Sequence, residues 1–240
     1  MRALTFAKRN FKELIRDYMS LIFLIAMPLF FLCIFSSFNI PTEEYRLENF
    51  TPSIVIFSYS FISLFTATLV AKDKSTSLTT RLFASPMKKK DYILGYTLAV
   101  FPIAVIQSII FFAVAVLLGL EFSINVLWCI LLLIPMSLLF VGIGVLLGII
   151  LTDKQAPSIG SVVVQLVAFT SGMWFPVTIA GGFFEYVCKT LPFYHAVEGI
   201  RGILAGSFNN LNFVVIAVYT VVIYVISSVI FKAKMLQDNK

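Results

Sequence analysis

The residues best suited to chemistry are few and scattered. His195 is the only histidine, with Glu198 and Arg201 following at intervals of three. One imidazole cannot complete a zinc site, so this trio reads as the polar side of a short helix, a surface packing element or a pH-sensitive contact. Cys33, Cys129 and Cys188 lack metal-ligand spacing, two lie in apolar runs, and they read as small packing residues. There is no Gly-x-x-x-x-Gly-Lys-Ser/Thr loop to hold a nucleotide. A membrane-embedded hydrolase or headgroup transferase would need clustered carboxylates, or a serine and a histidine on facing helices; the lone His195 and the absence of Asp-rich motifs argue against one. What remains is recognition chemistry, concentrated between Asp73 and Asp91. Ser75 or Ser77 can cap a helix of about two turns there. It places Leu78, Leu82 and Phe83 on one face, includes Arg81 and Ala84, and is broken by Ser85-Pro86. Lys88, Lys89 and Lys90 follow. A solvated loop accounts for the lysines but not for the apolar face, which calls for a partner groove.

The elements that position this loop are apolar. The chain of 240 residues is 60% hydrophobic and 12% charged, with a mean hydropathy of +0.98. A soluble domain carries roughly 25% charged residues. Lipid must therefore solvate much of this surface. Six apolar runs follow, at roughly Ser20–Phe38, Pro52–Ala71, Ile93–Leu120, Val126–Leu151, Pro157–Phe175 and Leu211–Phe231. Each is long enough to cross a hydrocarbon core of about 30 Å as a helix, and none shows the alternation of barrel strands. The fold class expected is an all-α integral membrane protein with six transmembrane helices in a single domain over residues 1–240.

Counting Lys and Arg orients it. Fifteen of the 18 fall in the N-terminal segment, the loop after the second run, the loop after the fourth and the C-terminal tail; Arg46, Lys189 and Arg201 fall on the other side. The 12 acidic residues divide evenly. This split predicts that both termini and the 72–92 loop are cytoplasmic, and it explains the net charge of +6 without nucleic acid. The basic N-terminus is too long, and its apolar run too continuous, for a cleaved signal. Over residues 1–18, Leu4, Ala7, Phe11, Leu14, Ile15 and Tyr18 recur at helical spacing, opposite Lys8, Arg9, Lys12 and Arg16. That pattern predicts an amphipathic helix in the interface, its basic side towards lipid headgroups or a partner.

On the outer side, residues 177–210 are too apolar for an ordinary loop. Two short helices are expected there, Gly182–Thr190 with Glu185 and Lys189 four apart, and Tyr194–Leu204 carrying His195, Glu198 and Arg201, dipping into the outer leaflet or lying along it. Pro176 and Pro192 punctuate the segment, and Trp174, Phe175, Phe183, Phe184, Tyr186, Phe193 and Tyr194 suit headgroup depth. Within the runs, Gln107, Ser108, Ser161 and Gln165 are interhelical hydrogen-bonders or liners of a path, with Trp174 and Phe175 candidates at its outer end. Gly144 and Gly148 allow close helix approach, more readily within the chain than between chains. Pro28, Pro102 and Pro135 kink helices whose freed backbone groups neighbours can satisfy.

Taken in order, these features resemble the permease of ABC exporters of the second type (ABC-2), across essentially the whole chain. The family pattern acidic-x-x-x-small-x-x-x-Arg-Leu-x-x-Ser-Pro is matched by Asp73, Ser77, Arg81, Leu82, Ser85 and Pro86, with Asp where Glu is usual and Ser where Gly is usual. Gly172-Met-Trp174-Phe-Pro176, then Leu191-Pro192, Glu198, Arg201 and Gly206, match the family's later signposts. The resemblance implies two membrane subunits, this chain with a second copy or a homologous permease, working with two cytoplasmic ABC ATPase subunits that hold ATP and Mg. It implies that the chain itself is not an enzyme and binds no cofactor. It assigns Ser75–Ser85 as the coupling helix, braced by the N-terminal helix, and the bacterial plasma membrane as location. The apolar spans favour a hydrophobic or amphiphilic cargo such as a drug, antibiotic peptide or lipid over a lipid-linked glycan. An ion-coupled carrier would need ionisable groups inside the spans, and these have none.

Overall fold

The computed structural model describes residues 2–38, 43–76 and 89–237. Among them every regular element is helical: α1 (Arg2–Arg16), α2 (Tyr18–Ser37), a 3-10 turn (Glu43–Tyr45), α3 (Leu47–Ser75), α4 (Lys89–Leu117), α5 (Ile124–Ile150), α6 (Gln155–Thr170), α7 (Val177–Ala180), α8 (Gly182–Thr190), α9 (Pro192–Leu204) and α10 (Asn210–Gln237). Helices are the economical answer for such a sequence, because each satisfies its own backbone where water is absent. α2, α3, α4, α5 and α10 are long and apolar enough to cross a membrane. The fifth apolar run gives a shorter element than expected. α6 has 16 residues, about 24 Å at 1.5 Å per residue. It stops at Thr170 because Ser171-Gly172 turns the chain, Gly172 at φ 75°, well before Phe175.

α3 is the axis of the bundle. It packs against α2, α4, α5, α6 and α9, and 83% of its most apolar stretch is buried, against 17% for α2 and 11% for α10. Small residues let α5 come close. A Cβ at Gly144 would lie 2.5 Å from the Ser63 carbonyl oxygen, and one at Gly148 would lie 2.5 Å from Val70 Cβ. The Gly-x-x-x-Gly pair thus serves packing within the chain. Tyr59, fully buried on α3, shares a short hydrogen bond with Ser108 of α4.

Residues 177–210 hold the two short helices expected there. α9 begins at Pro192, which suits the first helical position because its missing N–H would have no partner there. Phe193, Ala196, Val197, Ile200 and Ile203 are buried against the bundle, where α9 meets α3, α5 and α10. Phe193 therefore belongs to the core, whereas Phe183 and Tyr186 on α8 are exposed.

Pro28 sits inside α2 and has no N–H to give the carbonyl one turn before it, that of Leu24. Gln107 of α4 supplies the substitute: its Nε2 donates to the Leu24 carbonyl at 2.9 Å, fully buried. Gln107→Leu is expected to destabilise the protein by about 1 kcal/mol, because a buried carbonyl loses its donor. In a Pro28→Ala background the loss should shrink, since alanine at that position brings its own N–H. Thermal unfolding of the four variants in detergent checks this; equal losses in both backgrounds would refute the pairing.

Candidate functional site at the end of the central helix

Lys72, Asp73 and Lys74 are consecutive in the last turn of α3. About 100° of helical turn per residue sends them in three directions. Asp73 points inward and is buried. Its Oδ2 accepts from Arg9 Nη1 of α1 at 2.6 Å and from the Tyr96 hydroxyl of α4 at 2.6 Å. A carboxylate taken out of water needs such charge-assisted partners. Arg9 also pairs with Glu13 at 2.5 Å and donates to Asn10 Oδ1 at 2.9 Å. Lys72 closes the group by reaching Glu13 at 3.1 Å. Burial by itself lowers the pKa of Arg9, but the hydrogen bond to Asp73 and the charges of Asp73 and Glu13 outweigh it, and the net shift is upward. The guanidinium is locked in its charged form.

Lys74 turns the other way. Its ammonium donates to the carbonyls of Gly148 at 3.1 Å and Ile149 at 2.9 Å, and to that of Leu151. These lie at the C-terminal end of α5, where carbonyls lack helical partners and the macrodipole is negative. Two adjacent residues of α3 thereby hold α1 and α4 on one side and α5 on the other. Apolar contacts back the polar ones. Phe6 of α1 meets Tyr96 edge-on at 5.0 Å and stacks on Tyr92 at 5.8 Å. It sits so close to Gly95 that a Cβ there would fall 2.3 Å from its ring. Tyr92 stacks on Phe231 of α10 at 4.4 Å, which carries the contact to the last helix.

Several expected residues meet here and others do not. Asp73 and Arg9 are joined, and Arg9 faces the bundle, not headgroups. Ser75, expected as a possible cap of a new helix, instead closes α3, its hydroxyl bonded to the Lys72 carbonyl at 2.9 Å. Ser77, Leu78, Arg81, Leu82, Phe83, Ala84, Ser85 and Pro86 lie outside the described residues. On α1, Phe11 and Leu14 are half-buried and Lys8 is exposed, but Leu4 and Ile15 are exposed, and so is Tyr18, which begins α2. The buried face centres on Phe6, Ala7 and Asn10, two of which the sequence reading passed over. The signal for the correct face was Asp73 itself: an acid at the end of an apolar run needs a cation, and Arg9 shares a side with Phe6 and Asn10.

The candidate path residues are spread out. Gln107 is buried between α4 and α2. Ser161 and Gln165 are exposed on α6, beside Val162, Leu166 and Phe169. The opposite face of α6 packs through Gly160 on Leu64. Trp174 stacks edge-on with Phe31 at 5.7 Å and its carbonyl accepts from Tyr45 at 2.9 Å. Phe175 leans on Phe184 at 6.3 Å.

At the far end of α3, Arg201 of α9 is the organising group. It donates to the Asn49 carbonyl at 3.0 Å, to Ser53 Oγ at 2.8 Å, to the Gly172 carbonyl at 3.1 Å and to Glu198 at 2.9 Å. It thus ties α9 to α3 and to the turn after α6. Pro176 precedes α7. His195 bridges Asn212 Oδ1 and the Lys189 carbonyl, both at 2.8 Å, a structural bond between α9 and α10. Lys189 pairs with Glu185 at 2.5 Å. Among the described residues no cluster of His, Cys, Asp and Glu could hold a metal.

The sequence model of the family described as ABC-2 type transporter matches residues 2–205. No curated protein matches the chain.

Asp73→Asn should loosen α1. We expect a loss of about 2 kcal/mol, because the charge-assisted bond that Arg9 makes to the buried side chain at 73 is lost. Arg9→Gln should cost a similar amount, and the double substitution clearly less than the sum, since the two groups depend on each other. Thermal unfolding of the set in detergent reads the coupling; additive losses would show that the pair does not hold the helix.

Proposed function

The chain belongs to the ABC-2 type transporter family, and on that premise we propose that it is the membrane subunit of an ATP-driven exporter, receiving work from a separate cytoplasmic ATPase through residues 77–88. A family member of this kind is the permease and not the ATPase, and the family implies an ATP-binding partner in general. The observation that carries the finer reading is the double grip of Asp73 and Lys74. The segment 77–88 leaves α3 three residues beyond Lys74 and returns at Lys89 into α4. A push on that segment reaches α1 through Arg9, α4 through Tyr96 and α5 through its C-terminal carbonyls at once. Because α3 is buried along most of its length, it cannot shift without moving its neighbours. Closely packed elements pass displacement on in this way.

In this reading the end of the bundle bearing Asp73 and both termini face the cytoplasm, as the distribution of Lys and Arg requires. Leu78, Leu82 and Phe83 enter a groove of the ATPase, and Lys88–Lys90 hold the loop on its side of the membrane. Two permease copies, each with one ATPase, form the path. The exposed stripe Ser158, Ser161 and Gln165 on α6 supports a second permease at that face, since polar groups turned to lipid are costly. With few polar groups between helices, the cargo is hydrophobic or amphiphilic: a drug, an antibiotic peptide or a lipid.

Replacing Leu82 and Phe83 with Asp should leave membrane insertion intact and abolish ATP-driven transport in reconstituted vesicles, with the partner's ATPase no longer coupled to transport. Replacing Lys88, Lys89 and Lys90 with Gln should leave ATPase docking in place. The reverse pattern would reject the assignment of roles. For the cargo, the reconstituted complex should raise its ATP hydrolysis when amphiphilic compounds are added; stimulation confined to polyprenyl-linked glycans would move the substrate class to polysaccharide.

A further inference from the structure

At the elbow between α1 and α2 a cleft of about 270 Å³ opens beside α3. Glu13, Arg16, Asp17 and Lys72 form its rim, and Leu14, Phe65 and Leu69 its inner wall. Past Leu14, Ser20 and Phe65 it narrows into an apolar groove floored by Leu21, Leu24, Ile62 and Ile103. A charged mouth thus adjoins a narrow, mostly apolar groove, the two sharing Leu14, Ser20 and Phe65.

The charges at the mouth are not equivalent. Both carboxylates are already engaged. Glu13 accepts from Arg9 at 2.5 Å and from Lys72 at 3.1 Å. Asp17 accepts the Ser20 N–H at 3.2 Å and its hydroxyl at 2.5 Å. The cations are not filled to the same extent. Arg16 is exposed and makes no ion pair among the described residues. Lys72 has a side chain 63% exposed and, of its three donors, uses one within the described residues. Arg16 and Lys72 thus keep donors to spare on a rim whose carboxylates already accept from within the chain, which suits an anion with several acceptor oxygens placed between the two cations.

We propose that this cleft holds one phospholipid of the surrounding leaflet, its phosphate between Arg16 and Lys72 and an acyl chain along the groove of Leu24, Ile62 and Ile103. A soluble anion would have no use for the apolar trough, and an uncharged lipid none for the paired cations. The cleft has room for a glycerophosphate group and not for whole chains, which pass along the groove into the bilayer. The lipid would act as a wedge, filling the angle between α1 and α2 and bracing α1 where Arg9 fastens it to α3. The proposal concerns binding alone and stands apart from the transport reading.

Native mass spectrometry of the full chain in detergent tests it without any partner subunit. Titrated with phosphatidylglycerol, the protein should retain one molecule preferentially. Arg16→Gln with Lys72→Gln should weaken that retention about tenfold, the size expected for losing charge-assisted bonds. Lys12→Gln, a loss of charge on α1 outside the cleft, should leave it unchanged. Thr68→Trp, which fills the cleft and spares its charges, should lose the lipid as well. Diacylglycerol with the same chains should bind no better to the unaltered protein than phosphatidylglycerol binds to the double variant, and glycerol 3-phosphate should not compete. Undiminished retention by the double variant or by Thr68→Trp, when each melts as the unaltered protein does, would overturn the proposal. So would equal retention of diacylglycerol, or displacement by glycerol 3-phosphate at equal concentration.

Discussion

Asp73 is a carboxylate buried at the end of the most enclosed helix of an apolar protein, and a charge in that position cannot be left to solvent. Its need for partners organises one whole end of the molecule. Arg9 must come to it, so α1 is laid against α4. Tyr96 must turn its hydroxyl to the same oxygen, which places α4. Once α1 is fixed, the chain has to reverse at Asp17 to enter α2, and the elbow with its charged rim results. Replacing the ion pair by apolar groups could leave a fold as stable or more so. What the pair adds is a defined position for α1, held by a bond with direction where apolar packing would allow sliding.

Much of this architecture is legible in the sequence. Apolar runs long enough to span, bounded by basic segments, give an all-helical membrane protein, and the runs map onto α2 to α6 and α10. Their ends are less legible. α3 extends to Leu47 and Ser75, beyond the apolar residues, because Asp73 and Lys74 find partners that a hydropathy count cannot see. α6 is shorter than its run because the turn at Gly172 depends on backbone conformation and not on hydrophobicity. The face of α1 that packs on the bundle is the least legible part. Counting apolar residues at helical spacing picks out Leu4 and Ile15 and passes over Phe6, whereas the bundle packs on the side that brings Arg9 to Asp73 and Phe6 over Gly95. That choice rests on a pairing 64 positions apart, which local periodicity does not contain.

The same logic of satisfied polarity runs through the rest of the bundle. Pro28 frees a carbonyl and Gln107 answers it. Arg201, almost covered, divides its donors among carbonyls at the end of α3 and after α6, and so fixes α9 by bonds that have direction. Lys74 covers the open end of α5. In each case a side chain from one helix completes the backbone of another. Such bonds specify which helices are neighbours, while the glycines of α5 decide how near they come.

The brevity of α6 has a consequence for the membrane itself. A helix of 16 residues, about 24 Å, is several ångströms short of an average hydrocarbon core of about 30 Å. Next to α2 or α10 the bilayer meets segments of full length; next to α6 it must thin, or a neighbouring protein must cover the ends. Hydrophobic mismatch of this kind costs fractions of a kcal/mol per ångström, and the sum depends on acyl chain length. The face of α6 is thus a point where bilayer thickness acts on the protein. Shorter-chain lipids match this helix better than longer-chain ones, whose extra thickness must be taken up at its ends.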